Sequence, residues 1–222
     1  MTEQKPFRVE VVVAAPREAV WRALTEPERL ARWFGWDYDG LEGEIRYIFV
    51  DHARQKPPGL IVLGDGQENQ TIELVEEGSR TRVICVRPGS LEGADRDDRY
   101  EDMREGWITF FNQLRHSVER HPGEDRRTIY LTGEAVPAEL VDELGREQPG
   151  PIWYAGRFQH VVAAGGEGDL LVGIHAKRPI DSSEAGGVSL TVTSYGLDEG
   201  AFDALRQRWE SWWAGLTRDV AA

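Results

Sequence analysis

Two stretches of this chain carry the same apolar rhythm at helical period. In residues 101–119, EDMREGWITFFNQLRHSVE, the side chains of Trp107, Phe110, Phe111 and Leu114 recur at i, i+3, i+4 and i+7, with Val118 one turn further. They form a single stripe, while Arg104, Glu105, Gln113 and Arg115 fall elsewhere on the helical surface. Setting Arg104 on Arg206 places Trp107 on Trp209, Phe110 on Trp212, Phe111 on Trp213, Leu114 on Leu216 and Val118 on Val220 without a gap. Each stretch predicts a long helix whose stripe needs a large concave receiver, and the repetition predicts two units.

Ahead of the first long helix, residues 7–13 are rich in valine and predict a strand. Ala15-Pro16 stops it and opens a helix with proline in its first turn, in which Val20, Trp21 and Leu24 carry the buried side. Thr25-Glu26-Pro27 ends that helix and restarts another, where Leu30, Trp33 and Phe34 recur at helical spacing until Gly35 terminates it. From Gly40 the period becomes two. Residues 44–50 predict a strand in which Ile45, Tyr47 and Phe49 alternate with Arg46, Ile48 and Val50. Residues 51–59, with two prolines, predict a loop, and 60–63, 71–76 and 80–87 predict three more strands in an antiparallel meander. Its turns are expected at Gly64-Asp65-Gly66 and Glu77-Gly78, and an acidic connection over 88–100 leads into the helix.

The run His121-Pro122-Gly123-Glu124-Asp125 is polar and turn-forming, and it places domains at 1–121 and 122–222. Beyond it, 128–131 predict a short strand and 137–144 a helix with Leu140, Val141 and Leu144 inward, Pro137 standing where Pro16 stood. Gln148-Pro149-Gly150-Pro151 then breaks the chain. Trp153 and Tyr154 follow the break as Trp33 and Phe34 follow Pro27, without a regular second helix. Residues 157–163, 169–177 and 188–195 predict strands, joined by a glycine-rich hairpin turn at 165–168 and a looser one at 182–187, and 202–217 predict the closing helix. The order strand, helix, meander, long helix occurs twice, and the second copy is expected to lack a helix and part of the sheet.

Composition narrows the partners. In 222 residues, 40% hydrophobic side chains and eight tryptophans can fill two cores, and 29% charged residues mark a globular chain. A formal net charge of -13 repels phosphate backbones and anionic lipid surfaces, so no nucleic acid is expected as a partner; Arg126-Arg127 is only a short basic doublet. The one cysteine, Cys85, lies in the apolar run Val83-Ile84-Cys85-Val86, which precludes an internal disulfide and suits a buried thiol in a cytoplasmic protein. The amino terminus lacks a signal-peptide pattern, and no run approaches the roughly 20 apolar residues of a membrane span, so no membrane insertion is expected.

The run VVVAAPREAVWRALTEPERLARWFG, a meander after it, and then REGWITFFNQL resemble the SRPBCC (START-like, helix-grip) superfamily, and within it the branch named for the activator of the heat-shock protein 90 ATPase. The resemblance covers residues 7–119 well and 127–217 more weakly, and its motifs specify a fold rather than a reaction. It implies an α+β helix-grip fold: a curved antiparallel sheet wrapped around a long C-terminal helix, in two tandem units with the second degenerate. Two short helices would plug the end, and a hydrophobic cavity would lie between helix and sheet. The short, proline-bearing meander between Val50 and Thr71, and the lack of a clean helix pair in the second copy, depart from that pattern and would favour a collapsed cavity.

The candidates for lining such a cavity are Trp107, Phe110, Phe111 and Leu114 on the long helix, with Trp33, Phe34 and Trp36 at the mouth and Tyr47 on the sheet. The same residues also read as plain core, since burying each gains roughly 1.5–3 kcal/mol. Trp209, Trp212 and Trp213 are bulkier, so the second unit is expected to be filled by its own side chains. Arg46 and Glu73, on strands, are candidates for a polar pair inside the cavity; the simpler reading is a solvated pair on the outer face. Of five histidines, His160 and His175 would be brought onto one face by the hairpin at 165–168, but no cysteine or carboxylate stands beside them at zinc-ligand spacing. No metal or other cofactor is expected, and His116 is expected on the exposed side of its helix. No nucleophile elbow, Walker loop, dinucleotide fingerprint or local Ser/His/Asp arrangement is present. The expected function is a non-enzymatic binding protein with a hydrophobic cavity for a small apolar or lipid-like ligand. The alternatives are a chaperone-associated module with a protein partner, as the branch name implies, and a cyclase/aromatase-like or hydrolytic enzyme using a cavity acid or base.

Overall fold

The computed structural model describes residues 6–64, 69–88, 102–165 and 169–218. The chain divides into two compact units between Glu124 and Asp125. The expected turns at Gly64-Asp65-Gly66 and 165–168 fall largely outside the described residues, as do the connection after Pro88, Glu101 and Val220.

In the first unit, β1 (Phe7–Val13) is followed by α1 (Arg17–Thr25), α2 (Pro27–Leu30), α3 (Leu41–Ile45) and a π-helical stretch, Arg46–Asp51. Then come β2 (Ala53–Lys56), β3 (Leu60–Leu63), β4 (Gln70–Glu77), β5 (Arg80–Arg87) and α4 (Asp102–Arg120). The strands form one antiparallel sheet in the order β1-β5-β4-β3-β2. Its register puts Val9, Cys85, Ile72 and Ile61 in one row across four strands, all buried. Residues at period two share a face, so Leu74 and Val83 extend the same apolar surface. Onto this surface α4 packs Trp107, Phe111 and Leu114. Its last turns are fastened to the end of β1, where the Ala14 N–H donates to Glu119 Oε1 at 2.7 Å.

Three expectations for this unit are corrected. Residues 44–50 are helical, not a strand: Ile45 ends α3 and Arg46–Asp51 winds as a π-helix, with the His52 N–H donating to the Tyr47 carbonyl five residues back at 3.1 Å. Burial explains it, because Ile45 and Phe49 are buried while Tyr47 and Val50 are exposed, a spacing of four rather than two. The helix expected through Phe34 stops at Leu30, and turns carry the chain on, pinned by the Phe34 N–H to the Leu30 carbonyl at 2.9 Å. The expected loop at 51–59 also contains a strand, β2, paired with β3 from Ala53↔Leu63 to Lys56↔Leu60.

The second unit comprises β6 (Arg126–Ala135), α5 (Pro137–Glu147), β7 (Ile152–Ala155), β8 (Gln159–Ala164), β9 (Leu170–Ala176), β10 (Gly186–Tyr195) and α6 (Glu199–Leu216). Its sheet runs β6-β10-β9-β8-β7, the same antiparallel path as the first. The expected loss of part of this sheet is therefore corrected: five strands are present, and Trp153 and Tyr154 lie on β7 rather than in a counterpart of the 33–34 turn. What is reduced is the helical insert, where α5 alone stands between the first two strands. α6 starts at Asp198, whose carboxylate accepts the Ala201 N–H at 2.8 Å, and it buries Phe202, Trp209 and Trp213. These pack with Leu140 and Leu144 of α5 and with Ile129, Val172, Ile174, Leu190 and Val192 of the sheet. No helix among the described residues is long and apolar enough to cross a membrane.

Candidate functional site

A glycine sets the position of the first aromatic wall. Gly35 has φ +67°, and a Cβ there would stand 2.8 Å from Leu41 Cδ1, so only glycine permits the turn that presents Phe34 and Trp36 to α4. Gln113 of α4 donates to the Gly35 carbonyl at 3.3 Å and ties this turn to the helix. Phe34 and Phe110 then lie with ring centroids 4.7 Å apart, Trp36 and Phe110 6.2 Å, and Trp107 and Phe110 6.2 Å, all in tilted or edge-on contact.

A second wall comes from the π-helical stretch, which contributes Tyr47 and Ile48, and from His52 just beyond it. The His52 ring lies 4.0 Å from that of Tyr47, and its Nδ1 is 3.0 Å from the Tyr47 carbonyl oxygen. The floor includes Leu63 at the end of β3, Gln70 at the start of β4, and Asn69 just before it. Gln70 accepts from Trp107 Nε1 at 2.7 Å and donates to Met103 Sδ at 3.3 Å, which fixes its amide orientation. Gly106 leaves the helix surface open: a Cβ there would meet only Phe110, at 3.9 Å. The result is a cleft of about 710 Å³ inside the first unit, within the range that holds small molecules. Two carboxylates, Glu44 and Asp102, also line it. The Tyr38 hydroxyl donates to Glu44 Oε2 at 2.6 Å, and that hydrogen bond to a carboxylate raises the phenol above its ordinary pKa.

Of the residues singled out by sequence, Phe34, Trp36, Tyr47, Trp107 and Phe110 line this cleft. Trp33, Phe111 and Leu114 do not: they are fully buried core, and the Trp33 indole donates to the Ala23 carbonyl at 2.8 Å. Tyr47 reaches the cleft from a helix, not from the sheet as expected. Arg46 and Glu73 are not a polar pair within it. Arg46 sits on the π-helix, 75% exposed and 3.4 Å from Asp51, and Glu73 is exposed on the face opposite Ile72 and Leu74. The sequence reading missed Ile48, His52, Asn69, Gln70, Met103 and Gly106. The first two had a signal, since Leu41, Ile45, Ile48, Phe49 and His52 follow a helical spacing.

The histidines are also rearranged. His160 pairs with Ile174 and His175 with Gln159, so they point to opposite faces of the second sheet, not to one. Burial lowers the pKa of both and pushes His175 down to about 4. His116, expected at the surface, is fully buried in α4, its ring 4.9 Å from that of His121. Cys85 is buried in β5, and that burial pushes its thiol far up, which keeps it protonated and unreactive.

No protein-family model and no curated protein matches the chain. Among solved structures, the chain is similar to DynU16, a putative protein in the dynemicin biosynthetic locus, at 18% identity and a TM-score of 0.37, over 95% of this chain and 96% of that one. The Aha1 dimer of Colwellia psychrerythraea matches over 54% of this chain and 100% of its own, at 14% identity and a TM-score of 0.37. CalU16 of Micromonospora echinospora matches over 53% of this chain and 77% of its own, at 19% identity and a TM-score of 0.35. At this level the likeness bears on neither ligand nor activity.

Proposed function

We propose that the first unit is a binding module for a small, largely apolar ligand held in the cleft between α4 and the ends of β3 and β4, with no chemistry performed on it. The observation that carries this reading is a roughly 710 Å³ cleft walled by five aromatic side chains, in which Gln70 already satisfies its partners Trp107 and Met103. Such a surface excludes water poorly when empty and gains from burying an apolar body. Trp36 and Phe110 are only half-buried, so each has area left to cover. In the second unit the matching tryptophans Trp209 and Trp213 are packed into the core instead.

Titration with a naphthalene-based probe, read by tryptophan fluorescence and by thermal shift of the full chain, tests this. Saturable binding is expected, weakened about tenfold or more by Trp36→Ala or Phe110→Ala and unchanged by Trp212→Phe. Absence of saturation, or equal affinity in all three variants, refutes the reading. Native mass spectrometry of freshly purified protein adds a second readout, in which a co-purifying mass lost in the Phe110→Ala variant is the expected result.

A further inference from the structure

The cleft is apolar in its walls but one-sided in its charge. Among the described residues, Glu44 and Asp102 line it, and no lysine or arginine does. Both carboxylates belong to exposed positions on ordered elements, Glu44 on α3 and Asp102 in the first turn of α4. Glu44 is oriented by the Tyr38 hydroxyl, which occupies one oxygen and leaves the other for a further donor. Asn69 adds an acceptor: its Oδ1 is shielded from solvent and receives no hydrogen bond among the described residues. A buried acceptor left unmatched costs free energy that a donor on a ligand would recover.

The aromatic walls carry the same preference. The faces of Trp36, Trp107, Phe110 and Tyr47 are the negative ends of ring quadrupoles, to which a cation is attracted. Two lining carboxylates stand against one buried cation in contact with the cleft wall: Arg87 puts a terminal nitrogen on the Met103 thioether, and its guanidinium is 5.0 Å from the Phe7 ring. The chain as a whole, at -13, also attracts cations and repels anions at long range.

We propose that the cleft selects organic cations: a protonated amine or quaternary ammonium on an apolar, aromatic-sized body. The body packs on Trp36 and Phe110, and the charged end lies toward Glu44 and Asp102. This inference rests on the ligand-binding reading above and adds the sign of the ligand.

Three probes with one naphthalene body separate the two: 1-naphthylmethylamine, 1-naphthylmethanol and 1-naphthoic acid, titrated calorimetrically into the full chain at pH 7. The amine is expected to bind about tenfold tighter than the alcohol, with the acid weakest. A Glu44→Gln, Asp102→Asn double variant alters two exposed side chains and is expected to bring the amine within about threefold of the alcohol, both measured on that variant. Added salt should weaken the amine alone. Equal binding of all three overturns the charge selectivity while leaving the apolar cleft standing. Tightest binding by the acid overturns it and points instead to Arg87. An amine advantage that survives the double variant removes Glu44 and Asp102 from the role, and no binding by any probe defeats both readings.

Discussion

The helices α4 and α6 can be laid on each other residue for residue, yet they solve the same packing problem in different ways. A straight helix cannot touch a curved sheet along its whole length, so each unit must close a gap at one end. The second unit closes it with bulk: Trp209 is fully buried, Trp213 nearly so, and Leu140 and Leu144 of α5 press on them. The first unit places Met103, Gly106 and Phe110 where α6 has Leu205, Arg208 and Trp212. It surrounds that thinner stretch with the 34–36 turn and a π-helix, and a cleft remains. The lesson is that room comes from one glycine and from added walls, not from a loss of aromatic residues.

The largest expected effect follows from the filled unit. Trp209→Ala removes a fully buried indole from the core of the second unit and should cost about 3–5 kcal/mol of stability. Phe110→Ala, its neighbour in kind on α4, should cost clearly less, because Phe110 is half-buried and already borders empty space. Denaturant titration of the two variants measures the contrast. Equal losses would mean that the cleft is closed in solution.

Much of this was legible from residue spacing. The stripes on α4 and α6 are long, periodic and aromatic, and their burial follows the alignment of Trp107 with Trp209 and Phe111 with Trp213. The strands β1, β4 and β5 appear where their valine- and isoleucine-rich runs predict them. The cleft was legible only by half. Ile45, Tyr47 and Phe49 satisfy a period of two and, with Leu41 and Ile48, also a helical one, and tertiary packing of Ile45 and Phe49 decides for the helix. Short strands such as β2 and β7 pair at sheet edges, where the hydrogen-bonding partner rather than the side chain makes the strand. A polar floor residue such as Gln70 carries no local signal, because its role depends on Trp107 and Met103 more than 30 residues away.

The second effect in size separates the units by pH. His175 is partly buried on β9, and its desolvation there pushes its pKa down to about 4, whereas in the unfolded chain it titrates near 6.5. Between those values the unfolded state binds the extra proton, so stability falls as pH drops from about 6.5 toward 4 and this group adds nothing below that. The loss amounts to about 3 kcal/mol at most. His160, lowered in the same direction, adds to it. Unfolding midpoints at pH 7 and pH 4.5 should therefore converge in a His175→Gln variant relative to the parent chain. An unchanged pH slope would show that the imidazole takes up its proton in the folded state.

Third comes the glycine that opens the cleft. Gly106→Leu puts a side chain into the space bordered by Phe110, and helix propensity alone favours the change by up to about 1 kcal/mol. The variant should be as stable as the parent or slightly more so, and should lose the naphthalene probe. A stable variant that still binds would move the ligand away from this cleft.

The smallest effect tests the matching position. Arg208, aligned with Gly106, reaches across to Glu147 at the end of α5, with its guanidinium 2.8 Å from the carboxylate and half exposed. Surface pairs of this kind contribute about 0.2–1 kcal/mol, so Arg208→Ala should lower stability by no more than that, and added salt should erase the difference. If the pair held α5 against α6, the loss would be several times larger and would deepen at low salt. The expected small value assigns the closing of the second unit to Trp209, Leu140 and Leu144, and it leaves the charge at position 208 as a consequence of a filled gap rather than its cause.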